Sequence, residues 1–164
     1  MTTEIAPARV EIFDGGQTPV IERTFELGRQ VWLEILAEAW RVYPLEACGV
    51  VLAVDAEAPI EQFVPIRNAA DSSRVFTLDP LQFDKADRAA EKAGLQIVGV
   101  VHSHTHTVAY PSPTDRREMV NPLIPPTWHW AIVSLGWGFP ELRSFSVWEN
   151  SPLGIGEESV VLAH

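Results

Sequence analysis

Residues 102–115 read HSHTHTVAYPSPTD, placing three histidines, two serines and an aspartate within fourteen positions. Imidazole nitrogens and carboxylate oxygens are the donors that a zinc ion takes. His102 and His104 follow the apolar run LQIVGVV, which reads as a buried strand. Side chains two apart on a strand leave the same face, so the two imidazoles point together from the strand's C-terminal end. Alone, the His-x-His pair is equally what two packed or surface histidines would give.

Asp115 adds to it. Ser112-Pro113-Thr114-Asp115 is a helix start, with serine at the N-cap, proline at the first helical position and an acid at the third. That role is compatible with a second one. A carboxylate in the first turn of a helix facing the sheet end can reach a metal held by His102 and His104. Three protein ligands with a fourth position open for water is the catalytic rather than the structural arrangement. Such a site needs a base, and Glu46 is the candidate. It lies just ahead of the strand CGVVLAV, where pairing with the histidine strand would bring it to the same sheet end; a solvated loop glutamate is the plain alternative.

The elements that must position these groups are legible in outline. Residues 1–18 read as an N-terminal arm, with a short strand at 10–13 before the Asp14-Gly15-Gly16 turn, and residues 19–164 as one domain. Leu27, Val31, Ile35, Ala39 and Val42 recur at helical spacing and predict a helix ending before Pro44. Residues 48–54 and 60–66 predict a strand hairpin, and 67–77 a polar loop. Asp79-Pro80 opens a second helix with Leu81, Phe83, Ala86 and Ala90 on its inner side and Gly94 at its end. A third helix is expected over 112–121, strands over 129–135 and 142–149, and an edge strand at 160–162. Helices and strands alternate around one sheet, which predicts an α/β (α+β) fold, a mixed central β-sheet flanked by helices.

With those residues in place, Glu46…His102-Ser-His104-x7-Ser112-x-x-Asp115 resembles the JAMM (MPN-plus) metalloprotease signature at every spacing, over roughly residues 20–150. The AlaCysGly that follows Glu46, and HSHT followed by AYPS and TD, resemble the small bacterial branch of that family, in particular its sulfur-carrier-protein-cysteine peptidases. The resemblance implies a JAMM/MPN, cytidine-deaminase-like fold. It implies one Zn2+ per chain on His102, His104 and Asp115, and Glu46 as the base that takes a proton from the attacking water and returns it to the leaving amine. It assigns Ser112 to the developing oxyanion. It also implies a ubiquitin-like or sulfur-carrier protein ending in Gly-Gly as partner, with release of cysteine. The alternatives are an isopeptidase that removes a ubiquitin-like modifier from lysines, a non-catalytic scaffold of the same fold, or an amidase-like enzyme acting on a small molecule. The short loops of this chain suit a small leaving group better than a second folded protein. The deaminase signature H-x-E with P-C-x-x-C is absent.

Several neighbours lie outside the signature. Ser103, His106 and Tyr110 are candidate substrate contacts, against readings as a backbone-bonded serine, a surface histidine and a packed tyrosine. Cys48, the single cysteine, is a packing thiol or a metal-adjacent one. His129 begins a strand, where a satisfied structural histidine is the expectation. Trp137 and Phe139 in the GWGFP loop either fold back on the core or offer a small apolar surface.

Composition narrows the classes. Twelve Lys and Arg against twenty-two Asp and Glu give a net charge of −10, with no basic run, so no nucleic-acid partner is expected. One cysteine precludes an intrachain disulfide, and neither a signal sequence nor a long apolar run is visible, so a cytoplasmic protein without a membrane span is expected.

Overall fold

The computed structural model describes residues 3–5 and 18–164, so the strand and turn expected at 10–16 lie outside the described residues. In chain order the elements are β1 (Thr3–Ile5), β2 (Val20–Gly28), α1 (Arg29–Arg41), β3 (Cys48–Ala53), β4 (Gln62–Ile66), α2 (Pro80–Lys92), β5 (Gln96–His104), α3 (Pro113–Met119), β6 (His129–Ser134), β7 (Glu141–Val147) and β8 (Ile155–Ala163). The strands form one mixed sheet in the order β1-β8-β7-β6-β5-β3-β4, with β2 also pairing β8. The β5–β6 and β2–β8 pairs are parallel and the others antiparallel.

Both faces of the sheet are covered, which is why its central strands β3, β5 and β6 are buried along nearly their whole length rather than at alternate positions. Val51 and Ala53 of β3, Val101 of β5, and Ala131 and Val133 of β6 pack with Val31, Ile35 and Ala39 of α1. The intervening residues face the other way. Val50 and Leu52 meet Ala86 and Ala90 of α2. Val100, Trp130 and Ile132 meet Met119 of α3 and Phe145. His102 and His104, in phase with Val100, therefore lie on the face opposite α1.

The helix starts follow their local chemistry. Asp79 caps α2 by accepting from the Leu81 and Gln82 N–H groups, and Gly94, at φ +73°, takes the left-handed turn beyond its end. Ser112 caps α3 as expected.

Three expectations are corrected. Leu27 belongs to β2, not to the first helix, which begins at Arg29. The period-two pattern Ile21-Arg23-Phe25-Leu27 turns inward along β2, and its last member happens to sit at helical spacing from Val31. Leu81 is 82% exposed, because α2 packs through Ala86 and Ala90 while its first turn stands clear of the sheet. The final strand is not a short edge: β8 runs for nine residues and is paired by β7, β1 and β2. Trp137 and Phe139 do not fold back, being 64% and 76% exposed. No helix among the described residues is long and apolar enough to cross a membrane.

Candidate metal centre

Register places the site. β3 and β5 pair with Cys48 opposite His102, so the chain entering β3 lies beside the end of β5. Glu46 is thereby brought to the histidines from 56 residues away in sequence, and it is buried. Ser103 secures the junction: its N–H donates to the Ala47 carbonyl (2.9 Å) and its Oγ accepts the Ala47 N–H (2.7 Å). Of the two readings of Ser103 the geometry matches the backbone-bonded serine, since the side chain is fully buried and clamps β5 to the entry of β3.

His102, His104 and Asp115 converge with one ligand atom from each within 4.8 Å of the others. His102 Nε2 lies 3.1 Å from His104 Nε2 and 3.4 Å from Asp115 Oδ1, and His104 Nε2 lies 3.3 Å from Asp115 Oδ2. Donors about 2.05 Å from a tetrahedral zinc stand about 3.3 Å from one another, so the spacing fits that ion. The tautomer of His104 fits as well. Its Nδ1 donates to the Val108 carbonyl at 2.8 Å, which leaves the Nε2 lone pair for the cluster. His102 Nδ1 is buried with no hydrogen-bond partner among the described residues.

Asp115 is held from its own helix. Its Oδ2 accepts the Ser112 N–H at 2.7 Å while Ser112 Oγ accepts the Asp115 N–H at 3.1 Å, a reciprocal capping box. The cap and the cluster thus share one carboxylate, and the rigid helix start sets where it points.

Electrostatics follow from burial and proximity. Burial alone would raise the Asp115 carboxyl, but hydrogen bonding to His102 and His104, the charge of His102, and the Ser112 N–H hold it well below the usual carboxylate range. Burial pushes His102 down. His104 is raised despite burial, through Asp115, the Val108 carbonyl and Glu46. Burial, opposed by His104 and reinforced by Asp115, pushes Glu46 up to about 7. A carboxylate brought near neutrality is suited to both accepting and returning a proton.

The surrounding residues sort by contact. His106 is exposed beside Tyr43, 3.3 Å from its hydroxyl, with its Nδ1 2.7 Å from Thr105 Oγ1. Tyr110 packs its ring edge-on to Phe145 beneath Arg143, and its hydroxyl meets Thr18 Oγ1 at 2.5 Å. Cys48 donates to the Ile66 carbonyl, and burial together with Glu46 and Glu38 pushes its thiol up to about 12, so it is an inert packing thiol. His129 is bonded to Glu158 and to the Ala56 carbonyl, a satisfied structural histidine.

Sequence reasoning passed over two residues of the 67–77 loop. Phe76 stacks on the His102 ring, with centroids 4.4 Å apart and planes at 24°. The Asn68 side chain bonds the Glu46 carbonyl at 3.1 Å. An isolated phenylalanine in a polar loop was the one available signal; nothing marked the asparagine.

Comparison with known proteins agrees with this arrangement. Residues 28–148 match the family model of prokaryotic homologs of the JAB domain. The CysO-cysteine peptidase of Mycobacterium tuberculosis is 39% identical over 88 residues, 54% of this chain and 60% of that protein. A Thermus thermophilus protein named a probable TtuB-protein conjugate cleaving protease is 28% identical over 123 residues, 74% of this chain and 75% of that one. The match thus spans about three fifths of the mycobacterial relative. A solution structure from Desulfitobacterium hafniense superposes with a TM-score of 0.73 at 29% identity, covering 85% of this chain and 93% of that one. A JAB1/MPN domain protein from Archaeoglobus fulgidus shares the fold, with a TM-score of 0.54 at 14% identity over 85% of this chain and 98% of that one. With the fold, the convergent His-His-Asp cluster and a family match over most of its length, this chain belongs to the prokaryotic JAB-domain family.

Proposed function

We propose that this chain is a zinc-dependent peptidase that hydrolyses the bond after the C-terminal Gly-Gly of a ubiquitin-like sulfur-carrier protein and releases cysteine. The observation that carries the reading is the set of three buried donors at tetrahedral spacing beside a buried carboxyl pushed up to about 7.

His102, His104 and Asp115 would hold the ion. When bound, zinc polarises a carbonyl and lowers the pKa of a water towards about 7. The remaining work belongs to side chains. Glu46 takes a proton from the attacking water and returns it to the leaving amine, a role supported by its burial and its raised affinity for protons. Ser112 Oγ already accepts the Asp115 N–H, so its own proton is left to donate to the developing oxyanion. The names of the mycobacterial and Thermus relatives support a ubiquitin-like or sulfur-carrier protein conjugate as substrate.

The test is intact mass of a ubiquitin-like carrier ending Gly-Gly-Cys, before and after incubation, with and without a chelator. Loss of one cysteine residue that chelation blocks is the expected outcome. An unchanged carrier, together with cleavage of a lysine-linked conjugate, would replace this reading by the isopeptidase.

A further inference from the structure

The two histidines of the cluster are oriented by different means. His104 is fixed by its Nδ1–H bond to the Val108 carbonyl. His102 has no such bond among the described residues, its Nδ1 being enclosed without a polar partner there. What lies against the ring is the face of Phe76. A stacked aromatic face resists rotation of an imidazole about its χ2 torsion, which is otherwise broad.

Phe76 is carried by a loop that Asn68 organises. Asn68 is buried, and five backbone groups surround its side chain. Nδ2 shares its two hydrogens among the carbonyls of Glu46 (3.1 Å), Ser72 (3.3 Å) and Val75 (3.0 Å). Oδ1 accepts the N–H groups of Ala70 and Thr77, each at 3.0 Å. The loop is sewn to the site at two further points. Glu46 N–H donates to the Ser72 carbonyl at 2.9 Å, and Thr105 Oγ1 reaches the Ser73 carbonyl at 3.4 Å. One amide side chain therefore grips the backbone of the general-base candidate and both neighbours of Phe76.

We propose that Asn68 and Phe76 are positioning residues: Asn68 locks the 68–77 loop to the backbone of Glu46, and Phe76, held by that loop, sets the ring plane of His102 for the metal. This rests on the zinc reading above. It departs from the usual pattern, in which a metal-bound histidine is oriented by a hydrogen bond from its second nitrogen.

The inference is tested by zinc affinity, from competition with a chromophoric chelator, in wild type, Phe76→Leu, Phe76→Tyr and Asn68→Asp. Folding is checked by circular dichroism and Tm. Losing an orienting partner of a metal ligand typically costs 10–100-fold in affinity. Phe76→Leu is expected to bind zinc about tenfold more weakly, and Phe76→Tyr, which keeps the ring, to stay within about twofold. Asn68→Asp turns a carboxylate towards three carbonyls and releases the loop. It should weaken zinc by a similar factor and also lower kcat at saturating zinc, because Glu46 moves, whereas Phe76→Leu regains its kcat there. A folded Phe76→Leu with wild-type zinc affinity overturns the role of Phe76. An Asn68→Asp that loses Tm but keeps zinc affinity and kcat overturns that of Asn68. Wild type that takes up no zinc overturns the metal reading, and this inference with it.

Discussion

Two clusters of buried charge lie in this sheet, and they are built on opposite plans. At Glu158 everything is paired. Its carboxylate meets His129 Nδ1 at 2.8 Å, Ser144 Oγ at 2.6 Å and Arg23 at 3.0 Å, while His129 Nε2 lies 2.8 Å from the Ala56 carbonyl. Next to it, Arg143 grips Glu157 through two bonds of 2.8 Å. At Asp115 the polar atoms converge on one another instead. His104 has spent its Nδ1 proton on Val108, so its Nε2 presents a lone pair towards a carboxylate and a second imidazole. No lysine or arginine among the described residues is paired with Asp115 or Glu46. Buried charges are stable when paired, and a cluster of acceptors completes itself with a cation from outside. The first cluster is closed by its partners and the second is left open to a cation, although both are built on histidine and a carboxylate.

Removing a ligand separates the two clusters most sharply. His104→Ala is expected to lose stoichiometric zinc and to cleave a Gly-Gly-Cys carrier no faster than background, while His129→Ala, where it folds, keeps its zinc. Metal analysis of the purified variants decides the matter. Glu46→Gln comes next: zinc retained, kcat/KM lower by about 10³-fold, within the range of general acid–base catalysis.

The same variant has an opposite effect on the metal-free protein. A folded-state carboxyl at about 7 against an ordinary 4.5 binds protons more tightly folded than unfolded. Its penalty on stability is absent below about pH 4.5, grows as pH rises and is complete above about 7. Metal-free Glu46→Gln should therefore gain about 3 kcal/mol at pH 8 and nothing at pH 4, read by urea denaturation at both values. Equal stability of the two proteins at pH 8 would remove burial as the cause.

Ser112→Ala is expected to cost about 10²-fold in kcat, the scale of one oxyanion donor, with a further stability loss of about 1 kcal/mol from the missing cap. A rate unchanged at saturating substrate would leave Ser112 a cap alone. The smallest effect on catalysis is expected at the paired cluster. Glu158→Gln should leave kcat/KM and zinc affinity within about twofold, yet lower stability by about 3 kcal/mol, because Arg23 loses its buried partner. A thermal melt beside a zinc titration tests both halves.

Much of the site was readable because its parts are local. His102 and His104 share a face by strand geometry, and Ser112 and Asp115 share a helix start by capping geometry, so both pairs follow from spacing alone. The fold class followed from apolar runs and helix caps. The misreadings fell where local pattern is ambiguous. Leu27 fits a period of two backwards along β2 and a period of four forwards into α1, and pairing of β2 with β8 decided for the strand. The length and central place of β8 could not be read from residues 155–163, where two glutamates stand buried because Arg23 and Arg143 reach them from other strands.

The sequence by itself determined the donor set, its order and the two local frames that carry it, since both frames rest on contacts within four residues. Tertiary structure decided how those frames meet. The β3–β5 register brings Glu46 beside His104, and the Asn68-held loop lays Phe76 on His102. It also decided that His129, chemically the equal of His102, is closed off by partners. Pairing between distant segments depends on burial and register, which the composition of neither segment contains.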